Sequence, residues 1–285
     1  MRARRFNSLL GGVAVLALAL TACGTADVGG EGDGGSGSGD GNGGGDTITI
    51  GVKYDQPGLG LSEGGTPAGF DVDVATYIAG ELGYSPDQIE WTEAASANRE
   101  SFLQQGTVDM ILATYSITDE RRQVVDFGGP YYVAKQDILT QADNSDINGP
   151  EDLSGKVLCS ASGSRSAHNI TEEMEVDAEL REAGNYSECL ELLSNGTVDA
   201  VTTDNTILAG FAAQNPDSFR MVNNPFGEEK YGVGLPAGST ERCEEINEAI
   251  TKMWDDGSAT EYLEEAFGAT DFAYEESVPE LEACA

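Results

Sequence analysis

The tetrapeptide Gly-Thr-Val-Asp occurs twice, at 106–109 and at 196–199, about 90 residues apart. Each copy follows a segment that reads as a helix, residues 99–105 and 186–195, and each opens an apolar run. The first run, Val108 to Ala113, ends in the hydroxyls Thr114, Tyr115 and Ser116; the second ends in Thr202, Thr203 and Asp204. One helix–glycine–strand unit is a common α/β turn and decides nothing about chemistry. Two copies with polar ends predict two similar halves facing one crevice. After the first copy, Thr118 reads as a helix N-cap, with Asp119 and Glu120 in the first turn, where the helix dipole favours acids. Arg121 would then point back over the strand end. A strand terminus, hydroxyls, a helix start and a guanidinium in one place suit a carboxylate.

The start of the chain reads as an address. Arg2, Arg4 and Arg5 precede an apolar stretch, Leu9 to Leu20, that is short for a membrane span. Leu20-Thr21-Ala22-Cys23 resembles a bacterial lipobox, which implies a signal peptide over 1–22, cleavage before Cys23 and lipidation of that cysteine. The alternative is an ordinary secretory signal with Cys23 incidental. Residues 24–46 are mostly Gly, Ser and Asp, so 23–46 is expected to be a flexible leash between a lipid anchor and a folded body.

The formal net charge is −35, and removal of the leader leaves about −38. So acidic a body excludes nucleic acid or an anionic membrane face as a partner for its bulk field. It also makes the positions of its few basic residues informative. Setting Cys23 aside, Cys159, Cys189, Cys243 and Cys284 remain, and an even number in an exported chain suggests disulfides. The favoured pairs are Cys159–Cys189 and Cys243–Cys284. Zinc is the weaker alternative, since no CxxC pair exists and His168 is the sole histidine.

Along the body, strands are expected at 47–52, 89–92, 108–113, 131–140, 156–161, 198–201, 219–222 and 231–235. Helices are expected at about 70–83, 97–105, from Gly163 through Met174, and at 186–195, 205–213, 240–256 and 260–267. This alternation means α/β.

The segment Gly69–Tyr84, GFDVDVATYIAGELGY, resembles the signature of family 3 extracellular solute-binding proteins, the polar amino-acid receptors of ABC importers. GVKYDQPGLGL (51–61), ANRESFLQQGTVDMILATYSI (97–117), LCSASGS (158–164) and VDAVTTDNTIL (198–208) resemble blocks of actinobacterial glutamate-binding lipoproteins in particular. The resemblance covers nearly all of the body. It implies an α/β, two-lobed periplasmic-binding-protein-like fold of type 2 with a two-strand hinge. Lobe 1 is then 47–134 plus 236–285, and lobe 2 is 135–235. Residue by residue, it places Arg121 on the ligand α-carboxylate, helped by Thr114 and Ser116, and Asp204 on the α-ammonium beside Thr203. It places Ser162, Gly163, Ser164 and Arg165 in a second-lobe loop at a helix start, and Lys53 and Arg99 where acidic-amino-acid binders meet the side-chain carboxylate. Arg165 departs from the family pattern, in which a small or hydroxyl residue is usual.

The residues support this independently. Lys53, Arg99, Arg121 and Arg165 are a third of the basic residues left after the leader, and all four lie just past strands or at helix starts. A dicarboxylic amino acid needs several bases and one acid, which matches them with Asp204. In a water-poor cleft an unpaired charge costs several kcal/mol. Each residue also has an ordinary alternative. Arg121 can pair with Glu120 or Asp126, and Asp204 can simply N-cap the next helix. Lys53 and Arg99 can be surface charges. Tyr54, Trp91 and Tyr115 read as wall and core, His168 as a solvated helix residue, and Glu172, Glu173 and Glu175 as a solvated acidic face.

The reading is therefore a monomeric receptor on the extracellular face of the cell membrane, lipid-anchored through Cys23. It captures L-glutamate and passes it to ABC permease subunits by hinge closure, with no cofactor and no bond made or broken. The rivals are a receptor for aspartate, glutamine or another polar amino acid, a dehydratase-like enzyme on the same fold, and a sensor subunit. Against the enzyme, the sequence offers no nucleophile–base pair, metal set or carboxylate dyad.

Overall fold

The computed structural model describes residues 47–284; the expected leader, Cys23 and the whole of the expected Gly-rich leash lie outside the described residues. The chain forms one curled, mixed sheet with helices packed on it. In order, the elements are β1 (Ile48–Val52), β2 (Asp55–Gln56), β3 (Gly60–Leu61), α1 (Phe70–Glu81), β4 (Ile89–Glu93), α2 (Arg99–Gln105), β5 (Met110–Ile111) and β6 (Asp126–Gln141). Then come β7 (Val157–Ala161), a helical turn α3 (Ser166–His168) continued as a wider turn over Asn169–Glu173, and β8 (Glu179–Ala183). The chain goes on through α4 (Tyr186–Ser194), β9 (Ala200–Asp204), α5 (Asn205–Gln214), β10 (Phe219–Met221), β11 (Phe226–Leu235), α6 (Thr240–Asp255) and α7 (Ser258–Phe267).

The main sheet runs β4-β1-β5-β11-β6-β9-β7-β8, with β10 on β6. The strands β4, β1 and β5 are parallel to one another, as are β9, β7 and β8. Between these parallel groups lie β11 and β6, antiparallel to each other and to their neighbours. The early part of β6 pairs with β11 and its later part with β9 and β10. These two strands are thus continuous from one parallel group to the other.

The repeated tetrapeptide does the same work in both groups. Gly106 and Gly196 end α2 and α4 with φ of 66° and 73°, the left-handed region that glycine adopts without a Cβ penalty. Thr107 and Thr197 then close the helices by donating to the carbonyls of Phe102 and Leu192, both at 2.9 Å. Val108 and Val198 are buried. The Asp109 and Asp199 carboxylates each accept an N–H at the start of the neighbouring strand, from Thr49, the second residue of β1, and from Val157, the first of β7, both at 2.7 Å. Helix end, strand entry and strand register are set within four residues, which is why one tetrapeptide serves twice.

Helices α1, α6 and α7 pack on one another, α1 also on β1 and α6 on β6, and bury Phe70, Ile78, Ile246, Met253, Leu263 and Phe267; α4 packs on β7 and β9 and α5 on β6 and β9, burying Leu190, Leu193, Ile207 and Phe211. Both favoured disulfides are formed. Cys159–Cys189 joins β7 to α4 at a Cα separation of 5.7 Å, and Cys243–Cys284 joins α6 to the C-terminal tail at 5.8 Å. The first closes a 30-residue loop, for which chain entropy gives about 3–4 kcal/mol. Replacing both cysteines of that pair with alanine is expected to lower Tm by on the order of 10 °C in a thermal melt. A fall of only a degree or two would show that the bridge leaves the unfolded chain almost as free as before.

Four expectations need correction. The strand expected over 108–113 pairs as a strand only at Met110–Ile111, because the chain bends at Thr114, which has φ 45°. Thr118 does accept from the Arg121 N–H, but the helix it starts is one tight turn, Arg121–Gln123, before β6 begins. The helix expected from Gly163 begins at Ser166, since Gly163 has φ 78° and cannot be its first turn. Strand β8 was not expected at all: its ELREA sequence is mostly exposed and charged, as suits the outer edge of a sheet.

Candidate functional site

The two ends carrying the repeat, β5 and β9, flank β11 and β6, and their polar termini reach one narrow cavity. Its wall includes Arg99, Thr114, Ser116 and Arg121 from the first group, Ser164, Thr203 and Asp204 from the second, and Glu229 from β11 between them.

The bend at Thr114 is what opens the strand end. Its strained backbone is held by the buried Asp71 carboxylate, which accepts the Thr114 N–H at 2.8 Å. Burial pushes that carboxyl up to about 6. Turned outward, the carbonyls of this loop become acceptors. Arg99, at the start of α2, donates through one nitrogen to Ala113 and Thr114 oxygens at 3.0 and 3.1 Å. Arg121, held by the tight turn, donates to the Ser116 carbonyl at 2.8 Å and pairs through Nε with Glu100 at 3.1 Å. Both guanidiniums lie over the Tyr115 ring, at 4.3 and 4.9 Å from its centre. Two buried cations side by side repel; the ring face, the carbonyls and Glu100 offset that cost. Burial, then the neighbouring Arg121 charge, brings Arg99 down to about 10.

Across the cavity, both arginines donate to the Gly163 carbonyl, at 3.3 and 3.2 Å. Gly163 makes this approach possible: a Cβ there would sit 2.6 Å from the Ala97 Cα and N. Ser164 Oγ accepts from the Tyr186 hydroxyl at 2.8 Å. Asp204 ends β9 in extended conformation, and its Oδ2 accepts the Tyr231 hydroxyl at 2.6 Å. Burial first, then the charge of Glu229, pushes the Asp204 carboxyl up to about 8.

The structure brings Arg99, Thr114, Ser116, Arg121, Ser164, Thr203 and Asp204 to the lining of one cavity. It does not bring Lys53 there. Lys53 is buried one layer behind, donating from Nζ to Ser96 Oγ at 2.7 Å, and Ser96 lines the cavity. Burial, with Arg99 nearby, pulls the Lys53 amine down to about 7. Ser162 lies in an adjoining surface groove instead, its N–H already donated to the Ala183 carbonyl. Arg165 borders the cavity, but its guanidinium pairs with Glu120 at 2.7 Å and Glu173 at 3.1 Å. Pairing with Glu120 joins the tight turn after β5 to the loop after β7. His168 pairs with Glu172 one helical turn on.

Sequence reasoning missed Ser96, Ser166, Tyr186 and Glu229 at the cavity. Glu229 is the consequential omission, since it adds a second buried carboxylate beside Asp204. Its signal was faint: it stands two residues before Tyr231, on the strand face that Tyr231 marks as inward. Among the described residues, no group of His, Cys, Asp and Glu is placed to hold a metal ion, and no helix is long and apolar enough to cross a membrane.

A cavity bounded on one side by arginines and hydroxyls and on the other by carboxylates has the charge pattern that complements a small zwitterion, and comparison with known proteins points the same way. Residues 48–269 match the model for bacterial extracellular solute-binding proteins, family 3. The chain is 41% identical to the glutamate-binding protein GluB of Corynebacterium glutamicum, over 96% of this chain and 94% of that one. It is 35% identical to the ABC transporter glutamine-binding protein GlnH of Bacillus subtilis, over 84% and 89%. Among solved structures, an ancestral arginine-binding protein bound to arginine superposes with a TM-score of 0.72 at 33% identity, over 78% of this chain and 98% of that one. With its sheet, its two continuous strands and the cavity between the repeated units, the chain belongs to family 3 of the bacterial extracellular solute-binding proteins.

Proposed function

We propose that the chain is a receptor that captures L-glutamate outside the cell and hands it to an ABC permease. The observation that carries this reading is the opposition, across one cavity, of buried Arg99 and Arg121 to buried Asp204. Arg121 takes the α-carboxylate, for which its planar fork is suited, and Asp204 takes the α-ammonium. Arg99, with Lys53 behind Ser96, takes the side-chain carboxylate. Two lobes, 47–134 with 236–285 and 135–235, close over the ligand about β6 and β11, and the permease reads the closed form. The signal over 1–22 and a lipid on Cys23 keep the receptor, a monomer, at the outer face of the membrane. No bond changes, so incubation with ligand gives no product.

Glutamine-binding relatives make the side-chain end the point to test. The Lys53 amine titrates near 7, and a carboxylate arriving beside it favours its charged form. Glutamate binding then draws a proton onto Lys53, is fully supported below that pKa and weakens above it. Asp204 responds in the opposite sense, but it does so for both ligands alike. The ratio of glutamate to glutamine affinity is therefore expected to fall as pH rises from about 6 to about 9. In Lys53→Met the ratio is expected to be lower by roughly tenfold at pH 6 and flat with pH. Calorimetric titration of both ligands across that range measures it. An unchanged ratio in the variant removes Lys53 from the side-chain site.

A further inference from the structure

The second carboxylate of the cavity is the group that the proposed ligand pose leaves without a task. Glu229 is 7% exposed, on β11, and borders the same cavity as Asp204. Its Oε1 accepts from Asn169 Nδ2 at 3.1 Å, the one hydrogen bond its carboxylate makes among the described residues. Asn169 is in turn fixed, because the same amide donates to Gln136 Oε1 at 2.9 Å. Gln136 Nε2 donates to the Ser166 carbonyl at 2.6 Å and to Thr202 Oγ1 at 2.8 Å. One amide chain thus anchors Glu229 to the turn after α3, to β6 and to β9. A buried carboxylate held this firmly beside another acid is costly unless a cation joins them. Neither arginine serves: among the described residues, the guanidiniums of Arg99 and Arg121 donate to carbonyls and to Glu100.

We propose that Glu229 and Asp204 form a two-carboxylate cradle for the primary ammonium of the ligand, and that Glu229 is the residue that rejects ligands lacking it. The inference rests on the amino-acid receptor reading above and assigns the class of ligand more narrowly: a free α-ammonium is required, and 2-oxo, 2-hydroxy or N-acyl acids are excluded. An ammonium offers three donors. Asp204 Oδ2 already accepts the Tyr231 hydroxyl, so a second carboxylate supplies acceptors that Asp204 alone lacks. Without the ammonium, the two acids disfavour each other, and this repulsion adds to burial, the larger cause, in raising the Asp204 pKa. A ligand with a neutral oxygen in place of nitrogen leaves that repulsion in place and adds its own lone pairs to it.

The test is Glu229→Gln, which keeps the size and the acceptor for Asn169 but removes the charge. Calorimetry with L-glutamate and with 2-oxoglutarate gives a discrimination ratio for each protein. The expected result is a loss of glutamate affinity of tenfold or more, with 2-oxoglutarate binding unchanged or improved, so that the ratio falls by at least tenfold. Glu229→Asp, which retains the charge on a shorter arm, is expected to recover part of the ratio, and it is the variant to rely on if the glutamine form does not fold. Equal losses for both ligands would make Glu229 merely structural and overturn the cradle. Unchanged or tighter glutamate binding would show that Glu229 only burdens Asp204, and would also overturn it. If the wild type binds glutamine and not glutamate, the comparison is made between glutamine and N-acetylglutamine. A collapse of that ratio in Glu229→Gln then supports the cradle while the glutamate assignment fails. A wild type that binds no free α-amino acid overturns both.

Discussion

Replacing Arg121 with alanine is expected to raise the Kd for L-glutamate by at least a thousandfold, about 4 kcal/mol, while leaving the fold intact. The residue is 6% exposed, and its guanidinium faces the cavity over the Tyr115 ring. Truncation removes the fork proposed to meet the α-carboxylate and would leave that carboxylate facing hydroxyls only. It also leaves Glu100 without its partner, but Glu100 is partly exposed and can be solvated, so stability suffers less than binding. Arg121→Lys keeps the charge and loses the paired donors, so it is expected to recover only part of the affinity. Calorimetry gives the Kd values, and thermal melts without ligand separate binding from folding. A loss smaller than tenfold in Arg121→Ala would move the α-carboxylate away from this residue.

The second large effect is expected at a position with no charge. Gly163→Ala adds one methyl group, which would lie 2.6 Å from the Ala97 Cα and N and 2.8 Å from the Ser96 carbonyl carbon. These are backbone atoms of the opposite group, and they cannot swing aside as a side-chain tip does. The methyl also occupies a backbone with φ 78°, at a cost of about 1–2 kcal/mol. The two sides of the cleft would be held apart, and the shared contact of Arg99 and Arg121 with the Gly163 carbonyl would be lost. Affinity is expected to fall at least about a hundredfold, chiefly through faster dissociation, because a cleft that cannot shut cannot retain its ligand. Stopped-flow dissociation with a matching thermal melt checks this. An unchanged dissociation rate would mean that closure does not bring Gly163 onto Ala97.

The parts of this molecule that were legible in its sequence are those where one residue type has one local job. The repeated Gly-Thr-Val-Asp revealed both helix–strand units because its glycine and threonine end the preceding helix locally and its valine enters the next strand; its aspartates instead reach Thr49 and Val157, 60 and 42 residues away. Arg99, Arg121 and Asp204 stood out because buried-looking strand ends rarely carry charge in a chain so short of bases. What was not legible depends on contacts between segments far apart. Glu229 lies in a run, Glu228-Glu229-Lys230, that reads as a solvated stretch until the strand pairing of β11 shows which of the three turns inward. Arg165 pairs with Glu120 from 45 residues earlier, and no local pattern announces that. Lys53 stops at Ser96 because the β1 end lies one layer below the cavity, a matter of depth that spacing along the chain does not encode. The helix starts at Thr118 and Gly163 were misplaced for a common reason: the turns at these points serve to aim backbone carbonyls at the arginines, and that requirement overrides capping propensity.

The cavity is expected to select a dicarboxylic amino acid. The most direct measurement is calorimetric titration of the purified chain, unfolded and refolded to strip carried-over ligand, with L-glutamate, L-glutamine and L-aspartate. One-to-one binding of glutamate is expected, with glutamine weaker by at least about tenfold for want of the second carboxylate. Glutamine binding as tightly as glutamate, or more tightly, would contradict it.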